Sequence, residues 1–177
     1  MNTRDYQSTL RAIADKNYGV KFVSINWQRT FLRDWTRELD VVYEKHDPKN
    51  TILAGFSFGS LTAFMSATKR NPSELWLFSF SPYFSDDIPK MKKAWLASIG
   101  HRRVDDFKKL HFSDLAPLIR CKTKIFIGEI EAKKYPLLKQ RAITAQKLLA
   151  DSKLFTVPGS DHDVTNKNYI QAIMHAI

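Results

Sequence analysis

Short runs of β-branched and aromatic residues alternate along this chain with longer stretches of helical period, and that alternation constrains the fold more than any other feature. Arg4 to Lys16 reads as a helix closed by Asn17-Tyr18-Gly19, with Gly19 suited to a left-handed cap. Val20 to Trp27 reads as a strand. Leu32, Trp35, Leu39 and Val42 then recur at helical spacing until His46-Asp47-Pro48 breaks the pattern. Thr51 to Gly55 is a short apolar strand, and Leu61, Phe64, Met65 and Thr68 mark the next helix, which ends at Asn71-Pro72. Glu74 to Phe80 is nearly all apolar, as expected of a strand covered by helices on both faces. After Ser81-Pro82 the rhythm lapses over residues 86–120, a stretch of helical character. It resumes with a strand at Lys124 to Gly128, a helix at Leu137 to Ala150, a strand at Lys153 to Val157 and a closing helix at Asn166 to Ile177. Five strands separated by helices predict an α/β fold, a doubly wound and mostly parallel sheet with helices on both faces. In such sheets ligands bind beyond the carboxyl ends of the strands.

Three of those ends carry chemistry. The first is Gly55-Phe56-Ser57-Phe58-Gly59, with a strand directly before it and a helix directly after. Gly-x-Ser-x-Gly arises by chance in roughly one chain in twenty of this length, so the flanking elements supply most of the argument. A serine on so sharp a strand-to-helix turn takes a strained conformation that lifts Oγ clear of the sheet. Glycine on either side lets helix and strands approach without a Cβ clash. The following helix offers free N–H groups and its positive end to a developing oxyanion, with the Phe58 N–H as first donor. The second end is Ile127-Gly128-Glu129-Ile130-Glu131, and the third is Val157-Pro158-Gly159-Ser160-Asp161-His162-Asp163. Nucleophile, acid and histidine thus follow in the chain order expected for this architecture. His162 lies in a polar, glycine-containing loop, whereas His46, His101, His111 and His175 read as surface or cap residues.

On Gly55-Phe56-Ser57-Phe58-Gly59, Ile125-Phe126-Ile127-Gly128-Glu129-Ile130-Glu131 and Gly159-Ser160-Asp161-His162, nearly the whole chain resembles the α/β-hydrolase superfamily. The resemblance implies a serine hydrolase with Ser57 as nucleophile and His162 as base, cleaving a small carboxylic ester, thioester or similar acyl substrate through an acyl-enzyme. In the family the acid commonly stands three residues beyond a glycine, which lands on Glu131, with Glu129 as its rival. Asp86 and Asp87 mark an alternative location that some members use. The stretch 86–120 falls where the family inserts a helical cap, and Tyr83, Phe84 and Trp95 either line an acyl pocket there or belong to the core. Family members carry strands ahead of the first helix seen here, one ending in a His-Gly-type loop that gives the second oxyanion donor. This chain is therefore expected to lack the usual N-terminal strands, with Asn26-Trp27-Gln28 as a substitute source of that donor. The same departure sustains an alternative: a fold relative with weak or no catalysis that acts as a binding protein.

Length and composition bound the rest. The 177 residues suffice for a single domain spanning 1–177 with its own core. The formal charge of +10 attracts anions. Yet Arg29, Arg33 and Arg37, Lys90, Lys92 and Lys93, and Lys133, Lys134 and Lys139 are scattered, without the interleaved aromatics of a stacking platform. A small-molecule substrate, and no nucleic acid, is expected. No run approaches the ~20 apolar residues of a membrane span, and Met1 to Leu10 has no signal-peptide core. Cys121 is the only cysteine, which excludes an internal disulfide and fits a reducing, cytoplasmic setting. The triad needs no cofactor, and no metal site is expected.

Overall fold

Among the described residues, four parallel strands form the sheet in the order in which they occur along the chain. The computed structural model describes residues 6–28 and 31–177, so Arg4 at the start of the expected first helix, and Arg29, lie outside the described residues. The elements are α1 (Gln7–Ala14), α2 (Leu32–Tyr43), β1 (Ile52–Phe56), α3 (Phe58–Lys69), β2 (Glu74–Phe78), α4 (Lys93–Ile99), α5 (His101–Phe107), α6 (Phe112–Leu115), β3 (Lys122–Gly128), α7 (Glu129–Lys134), α8 (Pro136–Leu148), β4 (Ser152–Val157) and α9 (Lys167–Ala176). Registers run from Ile52 opposite Glu74, through Leu77 opposite Ile125, to Gly128 opposite Val157.

The two-residue period of the strands sorts their side chains into two cores. Leu53, Leu75, Leu77, Ile125 and Ile127 face one layer, where they meet Trp35 of α2, Phe64 of α3 and Ala142 of α8. Trp76, Phe78, Phe126 and Val157 face the other, against Tyr169 and Ile173 of α9 and Ile13 of α1. The result is a parallel sheet with helices on both faces, as the alternation predicts.

Residues 86–120 form the short helices α4 to α6 and two 3-10 turns, Ile88–Lys90 and Ala116–Leu118. Ile88, Met91, Val104, Phe107 and Phe112 from this stretch are buried in the α2–α3 core. Its first turn is tied down by Asp87, whose Oδ2 lies 2.6 Å from Arg141 Nη2 of α8, both side chains being almost completely buried. The guanidinium also lies over the rings of Phe84 and Phe112. A planar cation placed this way satisfies charge and packing together.

Two expectations need correction. Val20 to Trp27 forms no strand, because residues 18–26 carry neither helix nor ladder. Their β-prone composition is real, but a strand exists only through a paired neighbour. The left-handed residue after α1 is Asn17, with φ 64°, and Gly19 does not take that conformation. Asparagine tolerates the region because its short amide bonds locally.

Candidate active site

β1 delivers the chain into a turn that only a constrained residue can make. Ser57 has φ 55° and ψ −119°, a conformation outside the ordinary wells for a side-chain-bearing residue. Such strain costs about 1–3 kcal/mol and persists where surrounding structure enforces it. Here its N–H donates to the Phe78 carbonyl at 2.9 Å, while its carbonyl accepts from the Ser60 N–H at 3.0 Å in the first turn of α3. Gly55 is required sterically: a Cβ there would lie 2.1 Å from the Gly59 carbonyl oxygen. Gly59 is not, since nothing lies within 4 Å of the corresponding position, which corrects the expectation that both glycines relieve a clash. Phe58 opens α3, so its N–H is among those with no intrahelical acceptor. Its ring is fixed by stacking on Tyr83 at 4.7 Å.

The acid and the histidine meet across the ends of β3 and β4. Gly128 lets the two loops touch, for a Cβ there would lie 2.3 Å from the Ser160 carbonyl oxygen. The Ser160 carbonyl accepts from the Ile130 N–H at 2.9 Å, which fixes α7 against the histidine loop. Glu131, wholly buried, then places Oε1 2.5 Å from His162 Nδ1. Its Oε2 accepts from the Ser79 hydroxyl at 2.8 Å and from the Gly128 N–H at 3.1 Å. A buried carboxylate is tolerated only when bonded on both oxygens, and this one is. Ser79 takes φ 51° just past β2, and its hydroxyl lies 3.2 Å from the Tyr169 hydroxyl. Burial drives the Tyr169 phenol far above its ordinary range, so it remains protonated. The Asp161 carboxylate accepts the His162 backbone N–H at 2.8 Å, and that bond, with Lys134, holds it below the usual carboxylate range.

The other acids are engaged elsewhere. Glu129 pairs with Lys133 at 2.7 Å and accepts the Gly159 N–H at 3.1 Å, interactions that hold its carboxyl low at the surface. Asp87 is the partner of Arg141, and Asp86 accepts from the Ser85 hydroxyl. Ser79 and Tyr169 carry no sequence signal, because one ends an apolar strand and the other lies on a buried helix face far along the chain.

Ser57, Phe58 and His162 line one apolar cleft of about 640 Å³. The His162 ring is one-third exposed and packs 4.6 Å from the Phe56 ring, and no hydrogen bond joins it to the Ser57 hydroxyl. Tyr83, Phe84 and Trp95 do not line this cleft; Tyr83 and Phe84 are buried in the core with Trp95 packed against them, so the acyl-pocket alternative for them falls away. The Asn26 N–H donates to Glu38 Oε2 at 2.7 Å and the Gln28 N–H to Asn26 Oδ1 at 3.1 Å, so neither points freely at an oxyanion, while Trp27 between them lines the cleft. Among the described residues no cluster of three His, Cys, Asp or Glu could hold a metal ion, and no helix is long and apolar enough to cross a membrane.

No protein-family profile matches the chain, and no curated protein matches it by sequence. Its structure is similar to many solved ones. Est1E from Butyrivibrio proteoclasticus aligns at TM-score 0.71 and 16% identity over 98% of this chain and 78% of that one. An esterase from Exiguobacterium antarcticum aligns at 0.67 and 15% over 99% and 85%, and a bromoperoxidase from Bacillus anthracis at 0.67 and 13% over 98% and 85%. The parallel sheet, the strained serine between β1 and α3, and these alignments together give one conclusion: this chain has the α/β-hydrolase fold.

Proposed function

We propose that the chain is a serine hydrolase acting on a small carboxylic ester, thioester or similar acyl substrate. The observation that carries this reading is the buried Glu131 bonded to His162 Nδ1, with His162 and the strained Ser57 opening onto the same cleft. The bond to a carboxylate assigns the Nδ1 proton, leaving Nε2 as the acceptor that a base requires. Nε2 takes the Ser57 proton as Oγ attacks the carbonyl carbon, and the electron pair moves onto the carbonyl oxygen. The Phe58 N–H and the start of the α3 helix stabilise that charge. Collapse expels the alcohol or thiol, which receives the proton from His162. Water, deprotonated by the same imidazole, then attacks the acyl-enzyme, and release of the acid restores Ser57. Glu131 holds the imidazole in place and stabilises the imidazolium. The helical stretch 86–120 packs into the α2–α3 core, and none of its residues lines the cleft, so no capping role is proposed for it. The lone Cys121 is consistent with a reducing, cytoplasmic setting.

Esterases among the structural neighbours support the class, and Est1E has also been solved with ferulic acid bound. The test is hydrolysis of a panel of short- and long-chain acyl esters. The proposed activity appears against at least one ester and is abolished by Ser57→Ala, with the variant still folded. A second reading, a weak or inactive relative that binds rather than cleaves, is favoured by the missing Ser57–His162 hydrogen bond and the engaged N–H groups of Asn26 and Gln28. Losing one oxyanion donor costs about 10²–10³ in rate. Substrate binding without turnover by the wild-type chain would select this second reading.

A further inference from the structure

Among the described residues, those other than glycine with a positive φ are Asn17, Ser57 and Ser79. Asparagine tolerates the left-handed region, and Ser57 makes the sharp turn between β1 and α3. Ser79 has neither reason. It follows β2 directly, is wholly buried and takes φ 51°. Glycine would adopt that backbone with less strain. Strain of this kind persists where the surroundings over-determine it, and it concentrates at functional sites. The Ser79 N–H donates to the Phe126 carbonyl at 2.8 Å, which fixes the backbone in the strained form. What serine adds there over glycine is a hydroxyl.

That hydroxyl lies between Glu131 Oε2, at 2.8 Å, and the Tyr169 hydroxyl, at 3.2 Å. A serine has one hydrogen to donate, and it goes to the carboxylate, so the Tyr169 O–H donates to Ser79 Oγ. Burial keeps the Tyr169 phenol protonated, and its ring is seated edge-on against Phe78 at 6.2 Å. The donors therefore run one way, from Tyr169 of α9 through Ser79 to Glu131 of α7. The Gly128 N–H bonds the same Oε2 at 3.1 Å, which leaves Oε1 for His162 Nδ1. A carboxylate held by two donors on one oxygen turns only by breaking both bonds. With the Gly128 N–H alone it has one restraint and can rotate about it. We infer that Ser79 and Tyr169 are positioning residues, holding Glu131 in the orientation that presents Oε1 to His162 and so fixing the tautomer and direction of the imidazole. Their effect on rate rests on the serine-hydrolase reading; their effect on the imidazole does not.

Three variants of the full chain separate positioning from packing. Ser79→Ala removes the hydroxyl and keeps the strain, whereas Ser79→Gly removes both. Tyr169→Phe removes only the far donor and leaves the strained turn untouched. The first readout is the limiting rate of Ser57 modification by a fluorophosphonate. It is expected to fall about tenfold in both Ser79 variants alike, with the half-saturating concentration unchanged, because the base is misaligned while the reagent still binds. In Tyr169→Phe the expected fall is about threefold, from the weakened Ser79 donor. The second readout is the His162 Nδ1 proton, followed by nitrogen-edited NMR, whose exchange with water is expected to quicken about tenfold in the Ser79 variants. Labelling rates that track the melting temperatures of Ser79→Ala and Ser79→Gly, rather than their shared lack of a hydroxyl, would make the role one of stability alone and overturn the inference. Unchanged exchange of the Nδ1 proton in the Ser79 variants would overturn it too. A wild-type chain that takes no label, while its Nδ1 proton still depends on Ser79, would end the hydrolase reading and uphold the positioning.

Discussion

The two sides of the sheet differ in how completely they are finished. Around β3 and β4 the polar groups close on one another: Glu131 has partners on both oxygens, the Ser79 and Tyr169 hydroxyls are adjacent, and Gly128 brings the loops into contact. Around β1 the backbone of Ile52, Ala54 and Phe56 faces an apolar cleft, and residues 20–27 run beside it unpaired. Ser57 sits where these two regions meet. The comparison separates what orients His162, the proposed base, which is built into the fold, from what surrounds Ser57, the proposed nucleophile, which is open on one side.

The strongest way to break that comparison is at Glu131, the proposed acid. Glu131→Ala removes the acceptor of three hydrogen bonds, and a drop of about 10⁴ in kcat/KM is expected. Because the Gly128 N–H is left buried without a partner and the Ser79 hydroxyl keeps only Tyr169, stability should fall by about 1–3 kcal/mol in urea titration. Glu129→Ala, which removes only surface interactions, should leave stability within about 0.5 kcal/mol and activity nearly unchanged. Equal losses from both variants would contradict the assignment of the acid.

The two glycines of the turn sharpen the contrast at intermediate cost. Gly55→Ala drives a Cβ into the Gly59 carbonyl and should destabilise by about 1–3 kcal/mol. Gly59→Ala meets open space within a helix and should be neutral or stabilising by up to about 1 kcal/mol. Thermal denaturation of the pair reads the difference directly.

Smallest is an effect at the start of β2, on the finished side. Burial pushes the Glu74 carboxyl up, but hydrogen bonds from Lys124 and Trp76 outweigh it and hold the group below its ordinary range. A carboxyl lowered on folding contributes stability above its unfolded value, and loses it as pH falls through the folded one. Glu74→Gln should flatten that acid limb slightly, by less than about 1 kcal/mol given the partial exposure of the pair. Urea midpoints at neutral and acidic pH measure it.

Much of this was legible in the chain because it is local. A strand, a glycine-flanked serine and a helix announce the turn at Ser57, and Glu131 and His162 follow at later strand ends. The pattern predicted β2, β3, β4 and α8 to within a few residues, gave α4 to α6 only as a stretch of helical character and did not foresee α7. Residues 20–27 escaped because strand propensity specifies an edge and not the neighbour that pairs with it. Ser79 and Tyr169 escaped because they meet Glu131 only through packing across distant parts of the chain. Tyr83, Phe84 and Trp95 were ambiguous since aromatic residues near a site look alike whether they line a pocket or support it. The family spacing pointed to Glu131 with Glu129 as its rival, and the turn of α7 separates their fates, Glu131 meeting His162 and Glu129 pairing with Lys133 at the surface.

The most direct test of the central claim, that Ser57 is an activated nucleophile, is labelling of the folded chain by a fluorophosphonate with the modified residue identified by mass spectrometry. The account predicts a covalent adduct on Ser57, absent in Ser57→Ala and strongly slowed in His162→Ala. No adduct on the folded wild-type chain, or one formed equally fast without His162, would contradict it.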